Sequence, residues 1–220
     1  MNMTYFELVN ACLLELNYKQ VASFKDLYKS DHKRILENLN RVNFEVCSSF
    51  DWLFLQQKER VNLARGAFEV SNPCEGKIKS LMLNGRKLNY IADYEEFLKP
   101  RKKGSNTLSG CYSCFEDKIL LPTQHKEGVL DVYYVSNNYA VDSDGCPKAK
   151  MQQASDESVI PMPYSEHILV YGACMKLKGN PEHNKFKFWY SLFTQAVANL
   201  RSRALYSAEE CPKVRLLRAF

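Results

Sequence analysis

Cys111-Tyr-Ser-Cys114 is the first pattern in the chain whose spacing could do chemistry. A CxxC pair can supply half of a zinc site or cycle as a redox couple. Zinc needs two more ligands, and Cys74, Cys146 and His125 are the available donors, but none forms a second CxxC or an HxxxH. In a strand the two thiols point to opposite faces or are offset, and ordinary strand cysteines are the simpler reading. Asp142-Ser-Asp-Gly145 opens like a calcium loop. An EF-hand wants Gly at its sixth position and Glu at its twelfth. Here Gly145 is fourth and Gln153 twelfth, so a plain turn is expected. The four histidines, at 32, 125, 167 and 183, are scattered. None of the patterns GxSxG, P-loop, GxGxxG or HExxH occurs. The chain is therefore read as a non-enzyme with no metal and no cofactor.

Two features suit binding better than catalysis. Arg101, Lys102 and Lys103 form the one dense basic cluster, in a loop bounded by Pro100 and Gly104. Such a loop can touch phosphates, each cation adding a salt-dependent contribution. Phe97, Tyr112, Phe115, Tyr133, Tyr134 and Tyr139 make the surrounding segment aromatic. Stacking on single-stranded bases is conceivable, but strand alternation explains these rings as core or subunit contacts.

The elements that must carry these residues follow from periodicity. Thr4 caps a first helix to about Leu16, with Glu7 completing a capping box. Its stripe is Phe6, Val9, Leu13 and Leu16. A second helix runs from Lys29 or Ser30 to about Phe50 on Ile35, Leu39, Val42, Val46 and Phe50. Then segments shorten and turns crowd in. Arg60–Leu63 and Ala67–Val70 read as short strands. Ile78–Leu83 and Lys87–Ile91 flank Asn84-Gly85, the clearest hairpin signal. Tyr94–Leu98 reads as a helical turn, and Tyr112–Phe115 with Lys118–Leu121 as a second hairpin. Val129–Val135 is a strong strand, and residues 136–158 read as a long exposed loop. A third helix spans about Ser165–Lys178. Pro181 is expected at the first position of a fourth, which runs to about Leu205 with Trp189 and Phe193 packing on Val42 and Val46.

The fold predicted from this order is α+β: a four-helix bundle of the N- and C-terminal helix pairs with an inserted lobe of short antiparallel strands. Residues 1–56 and 159–206 would form the bundle and 57–158 the lobe, leaving 207–220 as a tail. That tail interleaves basic and apolar side chains: Lys213, Val214, Arg215, Leu216, Leu217, Arg218 and Phe220. It is read as an arm that docks onto another protein by adding a strand to an exposed edge. The alternative is a strand folded back on its own bundle.

Composition is that of a globular chain: 220 residues, 45% hydrophobic, 12% aromatic, 25% charged. Wholesale disorder and fibrous structure are excluded. No apolar run approaches the ~18 residues of a bilayer span, and no signal peptide is read at the start, so a soluble protein made in the cytoplasm is expected. Eight cysteines in a reducing compartment are read as free thiols. Net charge is +5, a mild basic excess spread along the chain rather than a dedicated DNA-binding patch.

Several phrases, in order, resemble the head–tail connector (adaptor) proteins of short-tailed bacteriophages, the tail tubular protein A group. They are the opening Met3-Thr-Tyr-Phe-Glu-Leu-Val-Asn10, the helix end Phe50-Asp-Trp52-Leu-Phe54, and Leu120-Leu-Pro122 before Val129-Leu-Asp-Val-Tyr-Tyr-Val135. Ile160-Pro-Met-Pro-Tyr164 then leads into Leu169-Val-Tyr-Gly-Ala173 and a last helix bearing Trp189. The resemblance implies a ring of identical copies, typically dodecameric, docked under the portal at the capsid vertex. It implies further tail proteins below, and double-stranded DNA passing through the channel without sequence specificity. It also implies a place in the virion at the head–tail junction. On that reading the loop Arg101–Lys103 faces the channel or a neighbouring ring, and the tail from Lys213 to Phe220 meets the portal. Two other readings stand beside it. One is a nucleic-acid-binding module using the basic loop and nearby aromatics; the other is a small metal or redox protein built on Cys111 and Cys114.

Overall fold

A computed structural model of the chain describes residues 2–98, 110–121 and 127–209. The basic loop at 101–103 and the tail at 213–220 lie outside the described residues. Two compact units emerge, one built from residues up to Phe54 and from Asn138 onward, the other from Leu55–Asn137.

In the first unit, α1 (Tyr5–Glu15) starts where Thr4 and Glu7 form the expected capping box. After a short 3-10 turn at Phe24–Asp26 comes α2 (Ser30–Ser48), which buries Ile35, Leu39, Val42 and Val46 on one stripe. The second unit follows, with strands β1 (Gln56–Leu63), β2 (Glu69–Ser71), β3 (Gly76–Leu83), β4 (Arg86–Lys87) and β5 (Asn89–Tyr90). Then come α3 (Tyr94–Leu98), β6 (Cys111–Phe115), β7 (Lys118–Leu120) and β8 (Gly128–Ser136). The chain returns to the first unit through β9 (Ala140–Val141), β10 (Pro147–Lys148) and β11 (Glu157–Ser158). It ends in α4 (Tyr164–Lys178) and α5 (Phe186–Glu209). Among the described residues, no helix is long and apolar enough to cross a membrane.

The expectation of a four-helix bundle with a small inserted lobe is corrected by this structure. The described residues form five α-helices and eleven strands in three sheets, and strands dominate the middle of the chain. Two sheets make up the second unit, in the orders β1-β8-β3-β4 and β2-β7-β6-β5. β1 and β8 pair antiparallel along eight consecutive partners, from Gln56↔Val135 to Leu63↔Gly128. Leu63, Leu81, Leu83, Leu130 and Val132 from the first sheet share a core with Tyr112 and Ile119 from the second, joined by Leu121 beyond β7. A core of this kind, not a helical one, holds the unit together. The Asn84-Gly85 hairpin is present, with positive φ at both positions (50° and 77°), a backbone that Asn and Gly adopt at little strain.

The expected exposed loop at 136–158 is also corrected. β10-β9-β11 form a small sheet held to the helices by polar side chains. Asn40 on α2 donates through Nδ2 to the Met151 carbonyl (2.9 Å), and its Oδ1 accepts from the Met151 N–H (3.0 Å). Asn43, fully buried, donates to the Tyr139 carbonyl (2.7 Å) and accepts from the Ser158 hydroxyl (2.7 Å). The Tyr5 and Phe6 amides donate to the Asp156 and Ala154 carbonyls. The segment's backbone groups thus find partners on α1 and α2, as buried polar groups must.

α4 runs through the helices and is buried on most of its circumference. Gly172 is where it lets neighbours close in: a Cβ there would come within 2.7 Å of Val42 on α2 and 3.2 Å of Phe193 on α5. Phe193 thus reaches the Val42 region. Trp189 donates its indole N–H to Glu15 at the end of α1 (3.1 Å) and stacks on His183. Pro181 lies in a turn before α5 rather than at its first position.

Candidate nucleic-acid interface

One face of the sheet β1-β8-β3-β4 is core, and the other looks outward. Register assigns the side chains. Leu130, Val132 and Tyr134 of β8 point to the core, so Asp131 and Tyr133 point away. Their partners share that outward face: Lys58 opposite Tyr133 and Arg60 opposite Asp131 on β1, Ser80 and Met82 on β3. Lys77 stands opposite Val135, and Lys87 of β4 opposite Met82. A bulge between Ile78 and Ser80 leaves Lys79 as the extra residue. Bulges re-aim side chains in this way. Lys79 lines a hollow of about 210 Å³ with Gln56, Gln57, Ser80, Tyr133 and Tyr134.

The electrostatics of this face are graded. Asp131 accepts from Lys58 (2.9 Å) and Arg60 (2.9 Å). The Lys58 ammonium and then the Arg60 guanidinium hold its carboxyl below the ordinary aspartate value. The same carboxylate, with Tyr133, holds the Lys58 ammonium above its usual value. Lys58 sits 5.2 Å from the Tyr133 ring centroid, a cation–π contact. One carboxylate therefore offsets one of two adjoining cations, while Lys77 and Lys87 add exposed positive charge at the flanks. Such a surface can attract a polyanion through charge: Asp131 holds Lys58 and Arg60 in place and offsets part of their charge, while Lys77 and Lys87 carry exposed ammonium groups.

The sequence-predicted sites fare differently. Arg101, Lys102 and Lys103 lie outside the described residues, as do Lys213, Val214, Arg215, Leu216, Leu217, Arg218, Phe220 and His125. Cys111 and Cys114 lie at the start and near the end of β6, each half-buried, and burial pushes the Cys114 thiol up. No cluster of three or more His, Cys, Asp or Glu side chains suited to a metal occurs among the described residues. In the Asp142 loop, Oδ1 accepts from the Asp144 and Cys146 amides, so that carboxylate serves the turn. His183 stacks on Trp189, His167 tilts against Tyr171, and His32 is buried early in α2.

Sequence reasoning passed over the outward face. Its signal was the period-two placing of Lys58 with Arg60, hidden because β1 begins at Gln56 and not at Arg60. No protein-family model matches the chain, and no curated protein matches it.

Proposed function

We propose that the chain is a structural subunit of a ring that joins the portal to the tail of a virion, with the outward sheet face of the second unit turned toward passing DNA. The observation that carries this reading is that face: Lys58 beside Tyr133, Arg60 beside Asp131, and Lys77 and Lys87 farther across the sheet, tempered by the Asp131 carboxylate. DNA that must slide is served by weak, sequence-blind attraction, and a strongly basic face would hold it. Exposed apolar side chains on the helices support self-association. Leu14 on α1, Phe44 on α2 and Phe188 on α5 each leave about half or more of their surface in water, at 63%, 58% and 55%. A ring needs two different patches that meet when copies are rotated about one axis. The phrases shared with head–tail connectors support the portal above and tail proteins below as neighbours, and a dodecamer as the ring.

Mass photometry with and without a portal ring tests the proposal. The expected result is monomer or small oligomer alone and a mass gain of many copies on the portal. A chain that stays monomeric beside the portal overturns it. The second reading, a monomeric nucleic-acid-binding module, is favoured by the Lys58–Tyr133 pair. It predicts duplex binding at low salt with a steep salt slope and no assembly.

A further inference from the structure

α2 begins without a cap. Lys29 at the N-cap position makes no side-chain hydrogen bond to the helix. The first intrahelical bond there is Lys33 N–H to the Lys29 carbonyl (3.1 Å). The N–H groups of Ser30, Asp31 and His32 therefore have no partner among the described residues. Helix starts normally satisfy these donors with a side chain, water or ligand. Here they border an open cleft of about 450 Å³ lined by Tyr18, Lys19, Lys29, Ser30, Asp31 and His32.

A second observation points the same way. His32 forms part of the cleft wall yet is only 6% exposed, and its Nδ1 has no hydrogen-bond partner. A buried ring nitrogen left unpaired is unfavourable unless something supplies the missing bond. Lys19 and Lys29 add two exposed ammonium groups at the rim. The one carboxylate in the lining, Asp31, turns its Oδ2 to the Tyr18 hydroxyl (3.3 Å) and sets its single negative charge against the two lysines. Behind that hydroxyl stands Lys178, 3.4 Å from the Tyr18 oxygen and 5.4 Å from the ring centroid. Converging amides, the positive end of a long helix and two lysines favour a negative guest. A cationic guest would answer none of them, and a neutral acceptor would answer the amides but neither the two lysines nor the helix end's positive charge.

We propose that this cleft binds an oxyanion, the phosphate or carboxylate group of a ligand, on the Ser30, Asp31 and His32 amides between Lys19 and Lys29. The site is independent of the outward sheet face and of ring assembly. The test is a titration of the full chain with sodium phosphate at constant ionic strength, followed by amide and imidazole ¹⁵N resonances. The expected result is saturable movement of Ser30–His32 and of the His32 ring, with chloride moving neither. An acetate arm separates the two sources: saturation by phosphate or by acetate supports the site, and the tighter of them names the guest. Lys19→Ser with Lys29→Ser alters only exposed side chains and should weaken binding about tenfold, the loss of roughly one charge-assisted hydrogen bond. His32→Gln, read the same way, tests the buried nitrogen if the double variant folds poorly. The proposal is overturned if phosphate and acetate leave the three amides where chloride leaves them, or if the lysine variant binds as tightly as the parent.

Discussion

The two units place their polar side chains on opposite sides of the problem of burial. In the helical unit they go inward: Asn40 and Asn43 tie α2 to the segment 138–158, and Asp156, fully buried, accepts from Lys148 and from the Gln152 and Gln153 amides. In the strand unit most polar side chains stand on an outward face; among the described residues the buried Ser113 and Ser136 are the exceptions, and the core beneath is otherwise aliphatic and aromatic. The first arrangement specifies one geometry, because each buried group is costly unless its partner is in place. The second tolerates change and leaves a surface free to bind. Stability should thus be sensitive to substitution of the buried polar groups in the first unit and nearly indifferent to substitution on the outward face of the second.

The largest expected effects break the cores separately. Trp189 is fully buried with its N–H bonded, so Trp189→Ala should cost about 3–5 kcal/mol. Leu130→Ala in the strand core should cost about 2–5 kcal/mol. Calorimetry should show Trp189→Ala lowering the helical transition and Leu130→Ala the other. A single transition shifted equally by both would end the treatment of the units as distinct.

Asn43→Ala sharpens the contrast in polar burial. It removes one of the two donors to the Tyr139 carbonyl, which keeps the Val159 N–H, and the acceptor of the Ser158 hydroxyl, and should cost about 1–3 kcal/mol by denaturant unfolding. An effect below the error of that measurement would show that water replaces the amide.

A pH effect should follow from Asp156. Burial alone would raise its carboxyl, but the Gln153 amide, the Lys148 ammonium and the Gln152 amide outweigh burial and hold it below the ordinary aspartate value. A depressed carboxyl stabilises above its unfolded value, and that stability is lost as pH falls through the lower, folded one. Helical-unit stability should therefore fall on acidification, and Asp156→Asn should flatten that dependence. An unchanged acid limb in the variant would assign the loss to other carboxylates.

The smallest effect belongs to the outward face. Lys77→Ser with Lys87→Ser should alter stability by less than ~0.5 kcal/mol. The same change should lower the salt slope of duplex binding by about one for each phosphate no longer neutralised. A large stability loss would mean these lysines support the sheet.

Much of the element pattern was legible, because it depends on local chemistry. Thr4 with Glu7, Asn84 with Gly85 and the alternation of Val129–Val135 each act within a few residues. The architecture was less so. Whether residues 136–158 form a loop or a sheet is decided by Asn40 and Asn43, which lie about a hundred positions earlier and look like ordinary polar positions on a helix. The candidate face was hidden for a related reason. Lys58 and Lys87 become neighbours of Tyr133 and Met82 only through pairing register, and a shift of one position would bury them. The α2 cleft left one local sign, a lysine where a capping residue is usual.

The insertion of the strand unit also orders events in time. Its entry and exit are adjacent, with Gln56 paired to Val135, so it can close on itself as soon as β8 is made. The helical unit cannot: α4, which contacts α1, α2 and α5, is synthesised only after the whole of Leu55–Asn137. At roughly 5–20 residues per second, α1 and α2 wait several seconds on the ribosome with their apolar stripes uncovered. During that interval the nascent helices are the segment of this chain most exposed to chaperones, to proteolysis and to premature contact with another copy.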